Sequence, residues 1–83
     1  MFFVYMIKSI EHNWYYVGST ENIERRLKQH SNGHVKSTKY RAPYELVYTE
    51  KYSSVSEART REKDLKTNRS LKEDIIKKFG PIV

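Results

Sequence analysis

The chain has 83 residues and a net charge of +6, from 16 lysines and arginines against 10 acids. It has no cysteine, which excludes disulfide frameworks, thiolate metal sites and cysteine nucleophiles. No apolar run approaches the ~18–20 residues that span a bilayer, so one soluble cytoplasmic domain over residues 1–83 is expected.

Seven tyrosines lift the aromatic fraction to 13%, more than disordered chains carry, so the chain is expected to fold. A basic balance with abundant tyrosine points to a polyanionic partner, nucleic acid first. Phe2 to Ile7 is an apolar run too short for a helix and reads as a strand. Trp14 to Gly18 is a second strand, joined to the first by a hairpin-sized connection. A loop over 9–12 would set Lys8 opposite Asn13 and Tyr5 opposite Tyr16, with both tyrosines on one face. A register slipped by one residue would part them. Gly18 is expected to let this strand turn tightly into the next element.

Thr20 can cap a helix running to about His30, with Glu21 and Glu24 at its positive end. Ile23 and Leu27 form its buried stripe, Arg26 and His30 share one flank, and Gly33 ends it. A polar connection runs through Pro43. Tyr44 to Tyr52 then alternates with period two, which predicts a third strand with Tyr44, Leu46, Tyr48 and Tyr52 pointing one way. Capping boxes at Ser54–Glu57 and Ser70–Glu73 open two further helices. The last carries Leu71, Ile75 and Phe79 at fourfold spacing and stops at Gly80-Pro81. The order β-β-α-β-α-α predicts an α/β domain of α+β type, a small three-stranded, mostly antiparallel sheet flanked by helices.

One residue breaks the pattern. Val55, Ala58 and Leu65 define the inward stripe of the fifth element, and Glu62 lies on it. An inward carboxylate needs a partner. The candidates are Arg59, Arg61, Lys66, a basic residue of the first helix, or a metal ion. Several familiar sites are absent: there is no glycine-rich phosphate loop, HExxH or GxSxG. His30 and His34 are four apart, but Gly33 interrupts the helix that would align them. Glu73 and Asp74 read as solvated charge.

The remaining residues carry a resemblance. Val4-Tyr5-Met6 and Tyr16-Val17-Gly18 look like the two name-giving motifs of the GIY-YIG nuclease family. Glu24-Arg25-Arg26-Leu27, with His30 one turn later, is similar to the family's arginine helix, and Arg61-Glu62-Lys63 to its metal glutamate. The chain most resembles small stand-alone bacterial members, and it is also similar to the nuclease domain of the excision-repair excinuclease. Val4 and Met6 replace the outer residues of the first triplet. Ser19 stands where the excision-repair relatives have lysine, and Asp74 near where larger members have asparagine.

The resemblance implies the same α+β fold and a divalent-metal-dependent endonuclease acting on DNA phosphodiesters, in repair or recombination, with RNA left open. Glu62 would hold Mg2+ (or Mn2+), since magnesium at phosphate sites needs one or two carboxylates and completes its shell with water and phosphate. Arg26 would clamp the non-bridging oxygens. Tyr16 is slightly favoured over Tyr5 as the base that activates water, the other tyrosine orienting it, with His30 hydrogen bonded to the cluster. A tyrosine working near neutral pH must fall by roughly 2–3 pH units, about 3–4 kcal/mol. Gly18 would be structural.

Residues 25–41 hold Arg25, Arg26, Lys28, Lys36, Lys39 and Arg41 without one acid, which equals the whole net charge. Arg25, Lys28, Lys36, Lys39 and Arg41 are therefore expected to form a phosphate-binding rim leading to Arg26. The rival readings are a non-catalytic nucleic-acid-binding module on the same fold, and an interaction domain using Tyr44, Tyr48 and Tyr52.

Overall fold

The computed structural model describes residues 1–79; Gly80 and Pro81, the expected helix stop, lie outside them. The elements are β1 (Phe2–Ser9), β2 (Tyr15–Thr20), α1 (Ile23–Ser31), a 3-10 turn at Lys39–Arg41, β3 (Tyr44–Tyr52), α2 (Val55–Thr67) and α3 (Arg69–Phe79). This is the expected order. The strands form one antiparallel sheet in the order β2-β1-β3.

β1 is the middle strand and is covered on both faces, which is why it reads as an unbroken apolar run. Val4 and Met6 point to one side, where they meet Val17, Ala58, Leu65 and Ile75 beneath α2 and α3. Tyr5 and Ile7 point to the other, towards Tyr44 and the Ile23 and Leu27 stripe of α1.

The β1–β2 register differs from the expected one by two residues. Tyr5 pairs with Gly18 and Ile7 with Tyr16, and the hairpin closes with Ser9 N–H donating to the Trp14 carbonyl at 2.9 Å. Because side chains alternate with period two, an even displacement leaves Tyr5 and Tyr16 on the same face.

β3 corrects a second expectation. Met6 pairs with Tyr48 but Ile7 with Leu46, so Val47 is an extra residue that bulges the strand. The bulge reverses the facing of one half relative to the other. Tyr44 joins the α1 side, whereas Tyr48 and Tyr52 pack on the α2 and α3 side. Tyr44 is buried, and the Tyr48 and Tyr52 hydroxyls both donate to Glu50 at 2.6 Å. Arg61 closes that cluster with two parallel bonds to Glu50, at 2.9 and 3.0 Å. A one-sided tyrosine docking face therefore does not form.

The helix starts shift as well. Asn22, not Thr20, caps α1, its side chain accepting from Arg25 N–H at 3.0 Å. Thr20 stays in β2 and receives the Asn22 N–H. Ser54 caps α2 as expected. Asn68 rather than Ser70 opens α3, accepting from Leu71 N–H at 3.3 Å. At the end of α1, Gly33 takes φ +75, with Gly33 N–H bonded to the His30 carbonyl and His34 N–H to the Gln29 carbonyl. That paired closure requires a left-handed residue, which glycine supplies without strain.

Gly18 makes no turn. It sits inside β2 with extended backbone because the Tyr5 phenol lies against it. A Cβ built there would fall 2.6 Å from Tyr5 Cζ, so any side chain would evict the ring.

Candidate active site

The last turn of α1 carries His30 into the interior, where it is wholly buried. Its Nε2 lies 2.8 Å from the Tyr5 hydroxyl and its Nδ1 lies 2.7 Å from Thr38 Oγ1. The Thr38 hydroxyl is itself directed at the Val35 carbonyl, at 3.4 Å, so it accepts from Nδ1–H. Nε2 is then the acceptor and the Tyr5 hydroxyl its donor. Burial, and then the charge of Arg26, push His30 down to about 4, so the imidazole is neutral at pH 7.

Tyr5 moves the other way. Burial pushes it up to about 12, against the hydrogen bond and charge of Arg26, which favour the phenolate. Tyr16 and Glu62 are also near enough to raise it. At neutral pH Tyr5 therefore keeps its proton and serves as a donor. Arg26 is half-buried beside it, with Nη1 held by Gln29 Oε1 at 3.0 Å. The i, i+4 spacing places Arg26 and His30 on one helix flank, as expected.

Tyr16 is half-buried, its ring 5.2 Å from that of His30 and 6.2 Å from the Trp14 ring, on which it stacks. Trp14 in turn carries the Arg41 guanidinium 4.7 Å above its face. This stack ties the basic connection to the tyrosines.

Glu62 approaches from the opposite face of the sheet. Ser19 pairs with Val4, so it points towards α2, and its hydroxyl donates to Glu62 Oε1 at 2.6 Å. Lys66, one turn along α2, donates to Oε2 at 2.7 Å. Burial alone would raise the Glu62 carboxyl, but the bonds from Lys66 and Ser19 and the charges of Lys66 and Arg59 bring it below the usual range. The Lys66 ammonium also sits 5.2 Å from the centre of the Tyr16 ring. Burial lowers Lys66, yet Glu62 and Tyr16 more than offset this and hold it charged.

The arrangement thus straddles the edge strand β2. Tyr5, Tyr16, Arg26 and His30 gather on the α1 side, and Glu62, Ser19 and Lys66 on the other. Between them Gly18, buried and lacking a side chain, leaves the space that the Tyr5 phenol fills. Arg25, Lys28, Lys36, Lys39 and Arg41 are all exposed. Lys28 is paired with Glu24 at 3.5 Å, and Lys39 sits 5.0 Å over the exposed ring of Tyr40. Ser19, Thr38 and Trp14 were not singled out as site residues in the sequence. Lys66 had a signal in its i+4 spacing from Glu62, and the others are joined to the site only through tertiary structure.

Among the described residues no three His, Cys, Asp or Glu side chains cluster to cage a metal. Glu62 is the one carboxylate at this site. An oxygen-only, single-carboxylate donor set suits magnesium shared with a phosphate, provided Lys66 yields Oε2. No described helix is long and apolar enough to cross a membrane.

A protonated phenol, a neutral buried histidine, an arginine and a half-buried carboxylate thus lie around one edge of the sheet. The profile of the GIY-YIG catalytic domain matches residues 1–74, and the chain belongs to that nuclease-type family. It is 46% identical over 66 residues to a UPF0213 protein of Staphylococcus haemolyticus, covering 78% of this chain and 79% of that one. A UPF0213 protein of Natronomonas pharaonis is 38% identical over 76 residues, covering 89% and 88%. The solution NMR structure of a UPF0213 protein from Bacillus halodurans superimposes with TM-score 0.56 at 32% identity, covering 98% of this chain and 89% of that one.

Proposed function

We propose that this protein is a divalent-metal-dependent endonuclease that hydrolyses DNA phosphodiester bonds, using the residues gathered around Gly18. The observation that carries the reading is that Glu62 is held at 2.6 Å by Ser19, next in the edge strand to the Gly18 that packs on Tyr5, while its partner Lys66 reaches the Tyr16 ring.

Each residue then has one task. Arg26 neutralises the non-bridging oxygens of the scissile phosphate. Tyr5, fixed as a donor by His30, hydrogen bonds the attacking water or the phosphate. Tyr16 takes the proton of the attacking water, with the Lys66 ammonium 5.2 Å from the centre of its ring. Glu62 would hold Mg2+ or Mn2+, which supplies charge stabilisation at the phosphate when bound. Lys66 is the counter-ion of Glu62 Oε2 and would have to yield that oxygen to a metal held there. Arg25, Lys28, Lys36, Lys39 and Arg41 bind the flanking strand through phosphate contacts.

The test is nicking of supercoiled and branched DNA with added Mg2+, comparing the wild type with Tyr16→Phe and Glu62→Ala. The wild type is expected to cut and both variants to lose at least ~100-fold, typical of removing a proton-transfer group. Equal activity in all three, or no cutting by any, sinks the assignment. Salt-sensitive DNA binding that persists without cleavage is the outcome that favours the non-catalytic binding module instead.

A further inference from the structure

A cavity of about 420 Å3 opens between the tip of the β1–β2 hairpin and the corner where α2 passes into α3. Its walls include Tyr15, Lys66, Arg69, Lys72, Glu73 and Ile76. Lys72 is half-buried there, and its ammonium donates to the Tyr15 carbonyl at 3.3 Å. Among the described residues no carboxylate pairs with it. Burial first, and then the like charge of Lys66, pull Lys72 below the ordinary lysine range. Lys66 already has Glu62, so it is the half-buried Lys72 ammonium, without a carboxylate of its own, that an added anion would stabilise. Arg69 is bonded to Glu73 at 3.1 Å in a solvent-exposed pair, a weak tie that leaves the guanidinium free to turn inward.

Lys66 belongs both to this cavity and to Glu62, so the two sites share a wall. We propose that the cavity is a second phosphate subsite, holding the backbone phosphate of a nucleotide that flanks the one at Glu62, with Lys72 as its principal contact. The volume lies within the range that accommodates small organic ligands, leaving space for a sugar along Tyr15 and Ile76. Trp14, which carries the Arg41 guanidinium on its face, also lines the cavity, so a strand leaving the basic connection at Arg41 reaches it directly. The inference rests on the nucleic-acid reading above.

Two measurements test it, both on the full chain without added metal. In the first, 15N-labelled protein is titrated with a short oligothymidylate and separately with inorganic phosphate. The oligonucleotide is expected to shift the Tyr15, Arg69 and Lys72 amides at concentrations where phosphate leaves them unchanged. An equal response to both overturns the strand assignment in favour of a free-anion site. In the second, binding of a labelled single strand is followed across a salt series for wild type, Lys72→Gln, Lys72→Arg and Lys78→Gln. Lys78 is exposed on the same helix and controls for lost charge. Lys72→Gln is expected to weaken binding several-fold and flatten the slope of log K against log salt by ~0.7. Lys72→Arg should restore both, and Lys78→Gln should leave the slope intact. Binding that is equal in Lys72→Gln and Lys78→Gln overturns the subsite alone. A wild type that binds no strand at low salt overturns the nucleic-acid reading itself.

Discussion

On one side of β1, Val4 and Met6 meet Val17, Ala58, Leu65 and Ile75, carbon against carbon and sulfur. One residue along the same strand, Tyr5 meets His30, and beyond it Thr38 and Tyr44, through a chain of hydrogen bonds. Both sides are shut off from water, yet they respond to different changes. The apolar side is held by area and volume, without direction. The polar side has every buried side-chain donor and acceptor partnered among the described residues, so it depends on which atoms are present and where protons sit. A small domain has placed its tolerance on one face of a strand and its chemistry on the other.

Met6→Ala should separate the two most strongly. Met6 is wholly buried in the apolar cluster, so truncation is expected to cost about 2–5 kcal/mol in urea unfolding. An NMR titration of His30 in the folded variant should still give a pKa near the wild-type value of about 4. A His30 value that climbs towards that of free histidine would show that the two sides are one mechanical unit.

The next effect comes from pH and belongs to the polar side. His30 ordinarily titrates at 6.5 and in the folded protein at about 4, so the unfolded chain binds the extra proton first. Its contribution is therefore fully present above pH ~6.5 and is lost as the pH falls towards 4. Over that window the wild type should lose on the order of 3 kcal/mol through this group. His30→Gln keeps hydrogen-bonding capacity but has nothing to titrate there. The difference between the two unfolding curves isolates the histidine from the carboxylates, which both proteins share. Parallel pH dependences would contradict the neutral, buried assignment of His30.

The same contrast between the two faces explains what could be read from the chain in advance. The element order was legible because each segment has one clear period, and the shared face of the tyrosines survived a register error of two because the period is two. The bulge at Val47 was not legible, since an ordinary valine inserted in an alternating run leaves no local mark. The caps at Asn22 and Asn68 compete with Thr20 and Ser70 a few residues away, and the packing of the helix decides between them. Tyr5, Tyr16, Arg26 and His30 could be picked out because they fall on the motifs the chain shares with its family, while spacing alone set only the tyrosines on one face and Arg26 and His30 on one flank. The Lys66 partner of Glu62 follows from helix geometry, whereas Ser19 and Thr38 reach the site only through tertiary structure.

The smallest expected loss of stability falls at Gly18, which faces Tyr5 across the strand pair. Gly18 leaves room for the Tyr5 phenol in the middle of β2, and an added Cβ would overlap the ring. The phenol can move outward at the sheet edge, so Gly18→Ala should cost about 1–3 kcal/mol, the usual range for overpacking. Function should suffer as well, because the displaced hydroxyl no longer meets His30 Nε2. A shift of that kind at a reacting centre can cost ~100-fold in rate. The His30 titration offers a reading that does not depend on catalysis. With Tyr5 withdrawn and water admitted, the His30 pKa should rise from about 4 towards 6.5, although neither His30 nor a residue hydrogen bonded to it has been changed. Retention of both the low His30 pKa and full nicking activity in Gly18→Ala would mean that the tyrosine does not need the space the glycine leaves.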